Sequence, residues 1–224
     1  MTQGRSAYLL LIILFLGSFS HALAQKKRII IVPYTRFQFT SEFNLDEIAN
    51  HNNTSSSNVF ELYQKEMNVA FANYKNNDFE FVPISASSYQ KHKRFIQYKL
   101  DKFNGKKYNS SNLKSFDNED FKAFLVTNNA DYVVFINWYS IQKSVFTTYM
   151  GDRNKRNKYS THLIDYDVYN NEKVKILGKG NIELDCGSFP SASIIEHKCL
   201  NAEELKNCYA NFLNEICQEL LSGY

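Results

Sequence analysis

Proline and glycine are scarce in this chain of 224 residues, which contains 3 Pro and 8 Gly. This scarcity excludes collagen-like and low-complexity chains, which are rich in one or both residues. The net charge of +3 is too small to indicate a nucleic-acid-binding protein. With 44% hydrophobic and 22% charged residues, the chain has the composition of one ordinary globular domain.

The sequence also lacks the short motifs of the common enzyme classes. It contains no GxSxG, HExxH, P-loop or GxGxxG segment. The best catalytic candidate is a pair of carboxylates, Asp165 and Asp167, because alternate residues of a strand project from one face. Solvated strand faces commonly carry such carboxylates, so we expect a wet strand face here, and no enzyme, cofactor or metal site.

Long apolar runs are absent except at the N-terminus. Residues 7–16 are apolar, follow a charged start and precede the small residues at 22–24, which is the pattern of a cleavable secretory signal peptide. The run is shorter than the roughly 20 apolar residues that span a bilayer. We predict a signal peptide over residues 1–24 and a periplasmic or secreted mature protein that begins at Gln25. An uncleaved anchor that extends to Phe19 is the alternative.

The few cysteines all lie toward the C-terminus, at Cys186, Cys199, Cys208 and Cys217. An exported protein meets oxidising conditions, which favour disulfides. If residues 202–221 form one helix, Cys208 and Cys217 lie roughly 13 Å apart along its axis, which is too far for a bridge. We expect one bridge, Cys186–Cys199, with Cys186–Cys208 as the alternative. The spacing lacks the CxxC pairs typical of a zinc site.

The order of apolar patterns predicts an α/β domain. Continuous apolar runs predict buried strands at 28–33 and 130–136, with a further strand at 79–83. Amphipathic periodicity predicts helices that open at Val59 and at Asp117 and a closing helix over 202–221. Helices between strands favour parallel crossovers. We therefore predict a mixed sheet, with parallel crossovers on the N-terminal side, an antiparallel C-terminal meander, and helices packed on the sheet.

Residues 161–186 carry the alternating pattern of a β-hairpin. Apolar residues alternate with carboxylates in the first strand and hold the even positions of the second. For both apolar sets to share one face, Val168 must lie opposite Val174, which predicts a three-residue loop at 170–172. The same register places His162 opposite Gly180, where we expect a packed histidine rather than a catalytic one.

Three segments carry a resemblance to a known group: IIIVPYTRF (29–37), NADYVVFINWYSI (129–141) and THLIDYDVYNNEKVKILGKGNIEL (161–184). They resemble the periplasmic α/β domain at the N-terminus of TolB and in the curli-secretion CsgG and LpoB-like envelope proteins. The resemblance implies a non-enzymatic envelope role through protein contacts, and it supplies no catalytic residue. The chain departs from the group because it lacks the lipobox cysteine of many members and carries an added basic segment near 85–115.

Positive charge is concentrated in two segments. The first combines cations with aromatic residues, and its candidate contact residues are Lys91, Lys93, Arg94, Phe95, Tyr98, Lys99, Lys102, Lys106 and Lys107. The second, at the predicted tip of another hairpin, contributes Arg153, Lys155 and Arg156. Such clusters attract anionic lipids, lipopolysaccharide or an acidic partner. The alternative is a solvated insertion whose aromatic side chains fold onto the domain.

Taken together, these patterns predict an exported, single-domain, non-catalytic interaction protein of the cell envelope. It would act through protein or anionic-surface contacts. A secreted hydrolase that uses Asp165 and Asp167, and a carrier of small apolar ligands, are the alternatives. We expect no nucleic-acid partner and no membrane span once the signal is removed.

Overall fold

A computed structural model describes residues 26–150, 153–184 and 200–223, with side chains described except at 146–158. The strands in these ranges are β1 (Lys27–Val32), β2 (Phe39–Ser41), β3 (Phe79–Pro83), β4 (Gln97–Phe103), β5 (Lys106–Asn112), β6 (Tyr132–Met150), β7 (Arg153–Asn170) and β8 (Lys175–Glu183). The α-helices are α1 (Leu45–His51), α2 (Val59–Asn73), α3 (Ala86–His92), α4 (Asn118–Thr127) and α5 (Lys206–Ser222).

The main sheet is mixed, with the strand order β3-β1-β6-β7-β8. β1 runs parallel to both β3 and β6, and β2 continues alongside β6 in the same direction. β6, β7 and β8 form the antiparallel meander. β4 and β5 form a separate two-stranded sheet. The structure therefore confirms the predicted mixed α/β architecture.

The central strands are buried on both faces. In β1, Ile29 and Ile31 belong to one core cluster, whereas Ile30 and Val32 belong to the other. This arrangement explains the continuous apolar run of β1, because a strand covered on both sides has no solvent-facing positions. Pro33 directly follows β1, as expected for a residue that lacks the N–H needed to continue the ladder.

Helices cover the two faces of the sheet unequally. α1, α2 and α5 pack on the face that carries the larger core cluster, while α4 contributes to the smaller cluster on the opposite face. Asp117 caps α4, because its carboxylate accepts a hydrogen bond of 2.8 Å from the Glu119 backbone N–H. The predicted helices are thus confirmed, with a 3-10 turn at Ala202–Leu205 preceding α5.

The two cysteines of α5 are buried; Cys208 is disulfide-bonded, whereas Cys217 is a free thiol. Cys186 and Cys199 lie outside the described residues. Because Cys208 is bonded and Cys217 is free, the partner of Cys208 is one of these two cysteines, so the predicted Cys186–Cys199 bridge is wrong and the alternative Cys186–Cys208 bridge stays a prediction. The predicted signal peptide over residues 1–24 also lies outside the described residues.

The predicted register of the β7–β8 hairpin is wrong. Val168 lies opposite Leu177 rather than Val174, and Tyr169 pairs with Lys175. Asn170 is the reason, because its side-chain oxygen accepts the backbone N–H groups of Glu172 and Val174 and holds a longer loop. The register shifts again on either side of the Tyr166 to Val168 segment.

The shifted register changes which glycines face which side. The alternating pattern predicted that Gly178 and Gly180 lie on the apolar face of the hairpin, and this prediction is wrong. They face the same side as Asp167 and Asp165, respectively. His162 is packed as expected, but it lies opposite Leu184, whose N–H donates to the His162 carbonyl oxygen.

Candidate functional site

The basic segment folds into a β-hairpin, β4–β5, which we call the basic hairpin (97–112). Its two-residue turn is Asn104–Gly105, and both residues have positive φ, at 46° and 80°. Asn-Gly is the preferred pair for a tight turn of this kind because both positions need the left-handed region. A two-stranded hairpin is marginally stable alone, so its position depends on what it packs against.

The basic hairpin packs on the β7–β8 part of the main sheet through two carboxylates. The backbone N–H of Asn109 donates to Asp165 Oδ2 at 2.8 Å, and the backbone N–H of Ser111 donates to Asp167 Oδ2 at 2.7 Å. The two acceptors are two residues apart on β7, and the two donors are two residues apart on β5, which is a separation of about 7 Å along either strand. The two carboxylates of β7 therefore match the spacing of the donors along β5.

Asp167 is the more heavily bonded carboxylate, and its side chain is fully buried. Its Oδ2 also accepts the hydroxyl of Ser111 at 2.7 Å, that of Ser110 at 3.0 Å, and the side-chain amide of Asn137 at 2.9 Å. Its Oδ1 accepts the Tyr108 hydroxyl and lies 3.1 Å from Lys175 Nζ. A buried carboxylate needs this many donors, because burial without them is strongly unfavourable.

The hydroxyl groups around Asp167 stay protonated. Burial, and then the negative charge of Asp167, raise the pKa of Tyr108 far above its usual value. The same two causes raise the pKa of Tyr169, whose hydroxyl donates to the Ser111 carbonyl oxygen at 3.1 Å. Both phenols therefore act as hydrogen-bond donors here, and Tyr108 links the hairpin to the sheet.

Two glycines of β8 make room for Tyr108. A Cβ atom added at Gly180 would overlap Tyr108 Cβ, and one added at Gly178 would overlap the Tyr108 hydroxyl. No larger residue fits beneath the ring without moving it. The Gly-x-Gly of β8 is therefore a packing feature, which explains its position inside a strand.

A bulge in β6 supplies a further donor. The β6–β7 register shifts between Ile136 and Trp138, which leaves Asn137 as the extra residue. Asn137 is fully buried. Its backbone carbonyl oxygen accepts a hydrogen bond of 2.8 Å from the Gln38 side-chain amide, and its side-chain amide donates to Asp167. The bulge therefore aims a polar side chain at the carboxylate from inside the sheet.

This arrangement corrects the expectation that Asp165 and Asp167 lie on a wet strand face. They are 3% and 0% exposed, because the basic hairpin covers that face. Asp165 also accepts the Asn181 backbone N–H at 2.6 Å and the Asn109 side-chain amide at 2.8 Å. Both carboxylates are occupied by structural donors, so the pair lends no support to the hydrolase alternative.

The cations of the basic hairpin and of the turn before it point into solvent. The exposed candidate residues are Lys91, Lys93, Arg94, Lys99, Lys102, Lys106 and Lys107. Lys102 and Lys107 are direct cross-strand partners, and like charges in such a pair repel each other. Leu100 lies two residues from Lys102 along β4 and is 75% exposed. The face of the hairpin that carries Lys102 and Lys107 thus combines positive charge with an exposed apolar side chain, Leu100.

One acidic residue partly offsets this charge. Asp101 Oδ2 lies 2.8 Å from Lys99 Nζ. The hydrogen bond from Lys99, followed by that from the Lys102 backbone, lowers the pKa of Asp101. Because both partners are exposed, this pair contributes little to stability.

The candidate aromatic residues turn inward instead. Phe95 is half-buried and stacks on Phe116 with ring centres 5.2 Å apart. Arg94 covers the Phe95 ring from outside, at 4.6 Å. Tyr98 packs against the smaller core cluster, and burial raises its pKa. These rings fix the hairpin to the domain, while the cations form the accessible surface.

The second basic cluster is described only in its backbone. Arg153, Lys155 and Arg156 lie on β7, where they pair in register with Met150, Thr148 and Thr147 of β6, respectively. The structure describes the backbone of these residues but not their side chains. Their predicted location at the tip of the β6–β7 hairpin agrees with the strand pairing. Their role stays a prediction.

The sequence contained two signals for this site that the alternation pattern alone did not use. Asn104–Gly105 between strand-like runs indicates a tight hairpin, which divides the basic segment into β4 and β5. The glycines of β8 indicate a close approach by another segment. Neither signal reveals the match between the carboxylates of β7 and the donors of β5, because residues so distant in sequence meet only in the folded chain.

Two other kinds of site are absent from the described residues. In the described part of the chain, no helix combines the length and apolar character needed to span a membrane. Across the same residues, no group of three or more His, Cys, Asp or Glu side chains is positioned to hold a metal ion.

Comparison with known proteins yields only weak structural likenesses. No protein-family model and no curated protein matches the chain. The hypothetical protein CT253 from Chlamydia trachomatis has 10% identity and a TM-score of 0.35, over 85% of this chain and 95% of that one. A Helicobacter pylori protein described as a putative neuraminyllactose-binding hemagglutinin homolog has 8% identity and a TM-score of 0.37, over 88% of this chain and 83% of that one. Such low scores carry no argument about fold or function.

Proposed function

We propose that this chain is an exported, non-catalytic protein of the cell envelope whose basic hairpin binds an anionic lipid surface. The observation that carries the proposal is that the hairpin is fixed to the sheet while its lysines stay exposed. β5 is fixed by Asp165, Asp167 and Tyr108, and Lys102 and Lys107 share the hairpin face opposite Tyr108, while Lys99 and Lys106 are also exposed. Because these contacts fix the position of the hairpin, binding does not carry the entropy cost of ordering a flexible loop.

Exposed charge and apolar area together favour a lipid surface. Each lysine near an anionic membrane contributes about 1 kcal/mol of attraction. Leu100, which is exposed on the same hairpin face as Lys102 and Lys107, adds apolar area that can enter the headgroup region. The mutual repulsion of Lys102 and Lys107 is relieved when an anionic surface approaches them.

The test compares a charge-reversed hairpin with a charge-matched control. The variant replaces Lys99, Lys102, Lys106 and Lys107 by Glu. The control replaces four exposed lysines elsewhere by Glu: Lys65, Lys75, Lys122 and Lys206. Binding is measured by co-sedimentation with phosphatidylcholine vesicles, with and without phosphatidylglycerol, and thermal unfolding checks that both variants remain folded.

We expect the wild-type protein to bind only the phosphatidylglycerol vesicles, and to be released at high salt because screening shortens the reach of charge. The hairpin variant is expected to lose roughly a hundredfold or more in affinity, and the control much less. Equal losses in both variants would refute a specific hairpin surface. Binding of polyglutamate but not of the vesicles would assign the surface to an acidic polypeptide instead.

Export has its own test. N-terminal sequencing of the protein from the producing cells should find a mature chain that begins at Gln25. Recovery of the unprocessed chain from the cytoplasm would refute the exported part of the proposal.

A further inference from the structure

A crevice lies at the carboxyl ends of β1 and β3, away from the carboxylates beneath the basic hairpin. After β1 the chain enters α1 and α2, which cover one face of the sheet. After β3 it enters α3 and later α4, which pack on the opposite face. When neighbouring parallel strands send their connections to opposite faces, a crevice opens between them, and ligands of open α/β sheets bind there.

The crevice has the size and the walls of a small-molecule site. Its volume is 390 Å³, near the lower end of the range for ligand pockets. Phe60 and Tyr89 contribute aromatic surface to it, and Tyr34, which also lines it, is fully buried. Phe60 packs edge-to-face against Tyr34 with ring centres 5.7 Å apart, which fixes this wall. Such walls favour a flat, ring-shaped ligand.

Two residues that line the crevice, Tyr34 and Asn68, each have a buried polar atom without a hydrogen-bond partner among the described residues. Asn68 lines the crevice, and its Oδ1 is buried without a hydrogen-bond partner among the described residues. Its neighbour Gln64 is already engaged, because its amide donates to the Tyr34 carbonyl oxygen at 2.7 Å. A buried acceptor without a donor is unfavourable, and a ligand hydroxyl or N–H would satisfy it.

A cation stands at the same crevice. Arg36 also lines it, and its Nη1 lies 3.6 Å from Glu61 Oε1. Both side chains are more than half exposed, so this ion pair is weak. Arg36 Nη1 also donates a long hydrogen bond of 3.4 Å to the Ser57 carbonyl oxygen. The planar guanidinium has five donors in a geometry that matches a carboxylate, so a ligand anion can replace Glu61.

We propose that this crevice binds a small aromatic carboxylate that carries a hydroxyl group. The ring lies against Phe60 and Tyr89, the hydroxyl donates to Asn68 Oδ1, and the carboxylate pairs with Arg36. This site is independent of the proposed lipid surface, because it uses none of the lysines of the basic hairpin.

Three matched compounds test the proposal by isothermal titration. The first is 4-hydroxyphenylacetate, which has the ring and both polar groups. The second, phenylacetate, lacks the hydroxyl, and the third, 4-hydroxyphenylethanol, lacks the carboxylate. We expect the first to bind the wild-type protein roughly five- to tenfold more tightly than either of the others.

Two substitutions then assign each group to its residue. Asn68→Leu should abolish the preference for the hydroxyl while keeping the preference for the carboxylate. Arg36→Gln should do the reverse. Asn73→Leu, at an exposed position near the end of α2, is the matched control and should leave both preferences unchanged.

The result that overturns the proposal is equally defined. Absence of binding by all three compounds at millimolar concentration rules out this ligand class. Binding whose preferences survive both Asn68→Leu and Arg36→Gln places the ligand elsewhere. Thermal unfolding of each variant, measured beside wild type, confirms that lost binding does not reflect lost folding.

Discussion

Gly180 lies directly beneath Tyr108, so that a side chain at this position of β8 would occupy the space of the Tyr108 Cβ. The contact joins two segments that are distant in sequence. It also fixes how closely the basic hairpin approaches the sheet, because Gly178 leaves similar room for the hydroxyl of the same tyrosine.

Gly180→Ala is therefore expected to lower the free energy of unfolding by about 1–3 kcal/mol through overpacking. Urea unfolding of a double-mutant cycle with Tyr108→Gly measures the coupling between the two positions. The alanine should cost clearly less in the Tyr108→Gly background, where the overlap is removed. The same cost in both backgrounds would show that the clash does not decide the effect.

Asp167 holds the hairpin through charge, and its loss has a different signature. Asp167→Asn removes the charge that pairs with Lys175 and places an amide where donors converge. Breaking a buried ion pair costs about 3–5 kcal/mol. The matched control is Asp101→Asn in the exposed pair with Lys99, which should cost less than about 1 kcal/mol.

Urea unfolding at neutral pH measures both variants. Equal destabilisation by Asp167→Asn and Asp101→Asn would contradict the buried role of Asp167. The vesicle assay of Asp167→Asn adds a functional measurement, because a hairpin that is no longer fixed should also bind the anionic surface less tightly.

Cys217 predicts a loss of stability at alkaline pH. Burial raises the pKa of its thiol from 9.0 to about 11, so the folded state favours the neutral thiol. The unfolded chain ionises first as the pH rises. The thiol therefore contributes stability that is complete below about pH 9 and is lost as the pH rises toward 11.

Urea unfolding midpoints between pH 8 and pH 11 test this contribution. We expect a shallower decline for Cys217→Ala than for the wild-type protein. Burial also raises the pKa of tyrosines such as Tyr139, which lower the stability at high pH in both proteins. The difference between the two curves therefore measures the thiol together with its interaction with Tyr74. Parallel curves would refute the prediction.

The disulfide prediction is tested by peptide mapping without reduction. We expect a linked pair of peptides that contain Cys186 and Cys208, because Cys208 is disulfide-bonded, and a Cys217 that is alkylated after unfolding without a reducing agent. A link between Cys199 and Cys208 would refute that pairing, and a link between Cys186 and Cys199 would contradict the bonded state of Cys208.

Much of the fold was predictable because local patterns and the core agree. The apolar run of β1 indicates a strand buried on both faces, and the structure places it between two core clusters. Asp117 before an amphipathic segment indicates a capped helix, and α4 begins there. Such features depend on residues close in sequence, so the sequence displays them directly.

The β7–β8 register was not predictable from alternation. The pattern assumed regular strands, whereas Asn170 stabilises a longer loop and Lys173 adopts a positive φ of 59°. Each irregularity moves the following residues to the other face. Gly178 and Gly180 therefore lie on the face opposite the predicted one, and the basic hairpin packs into the space that they leave.

The sequence by itself determined the α/β class, the parallel and antiparallel parts of the sheet, and the helical faces, because period and capping are local properties of the chain. Only the tertiary structure decided the role of Asp165 and Asp167. A carboxylate on one strand face is solvated or buried according to what covers it, and the covering segment lies more than fifty residues earlier in the chain. Long-range packing therefore makes these two acidic residues the hydrogen-bond acceptors that fix the basic hairpin to the sheet.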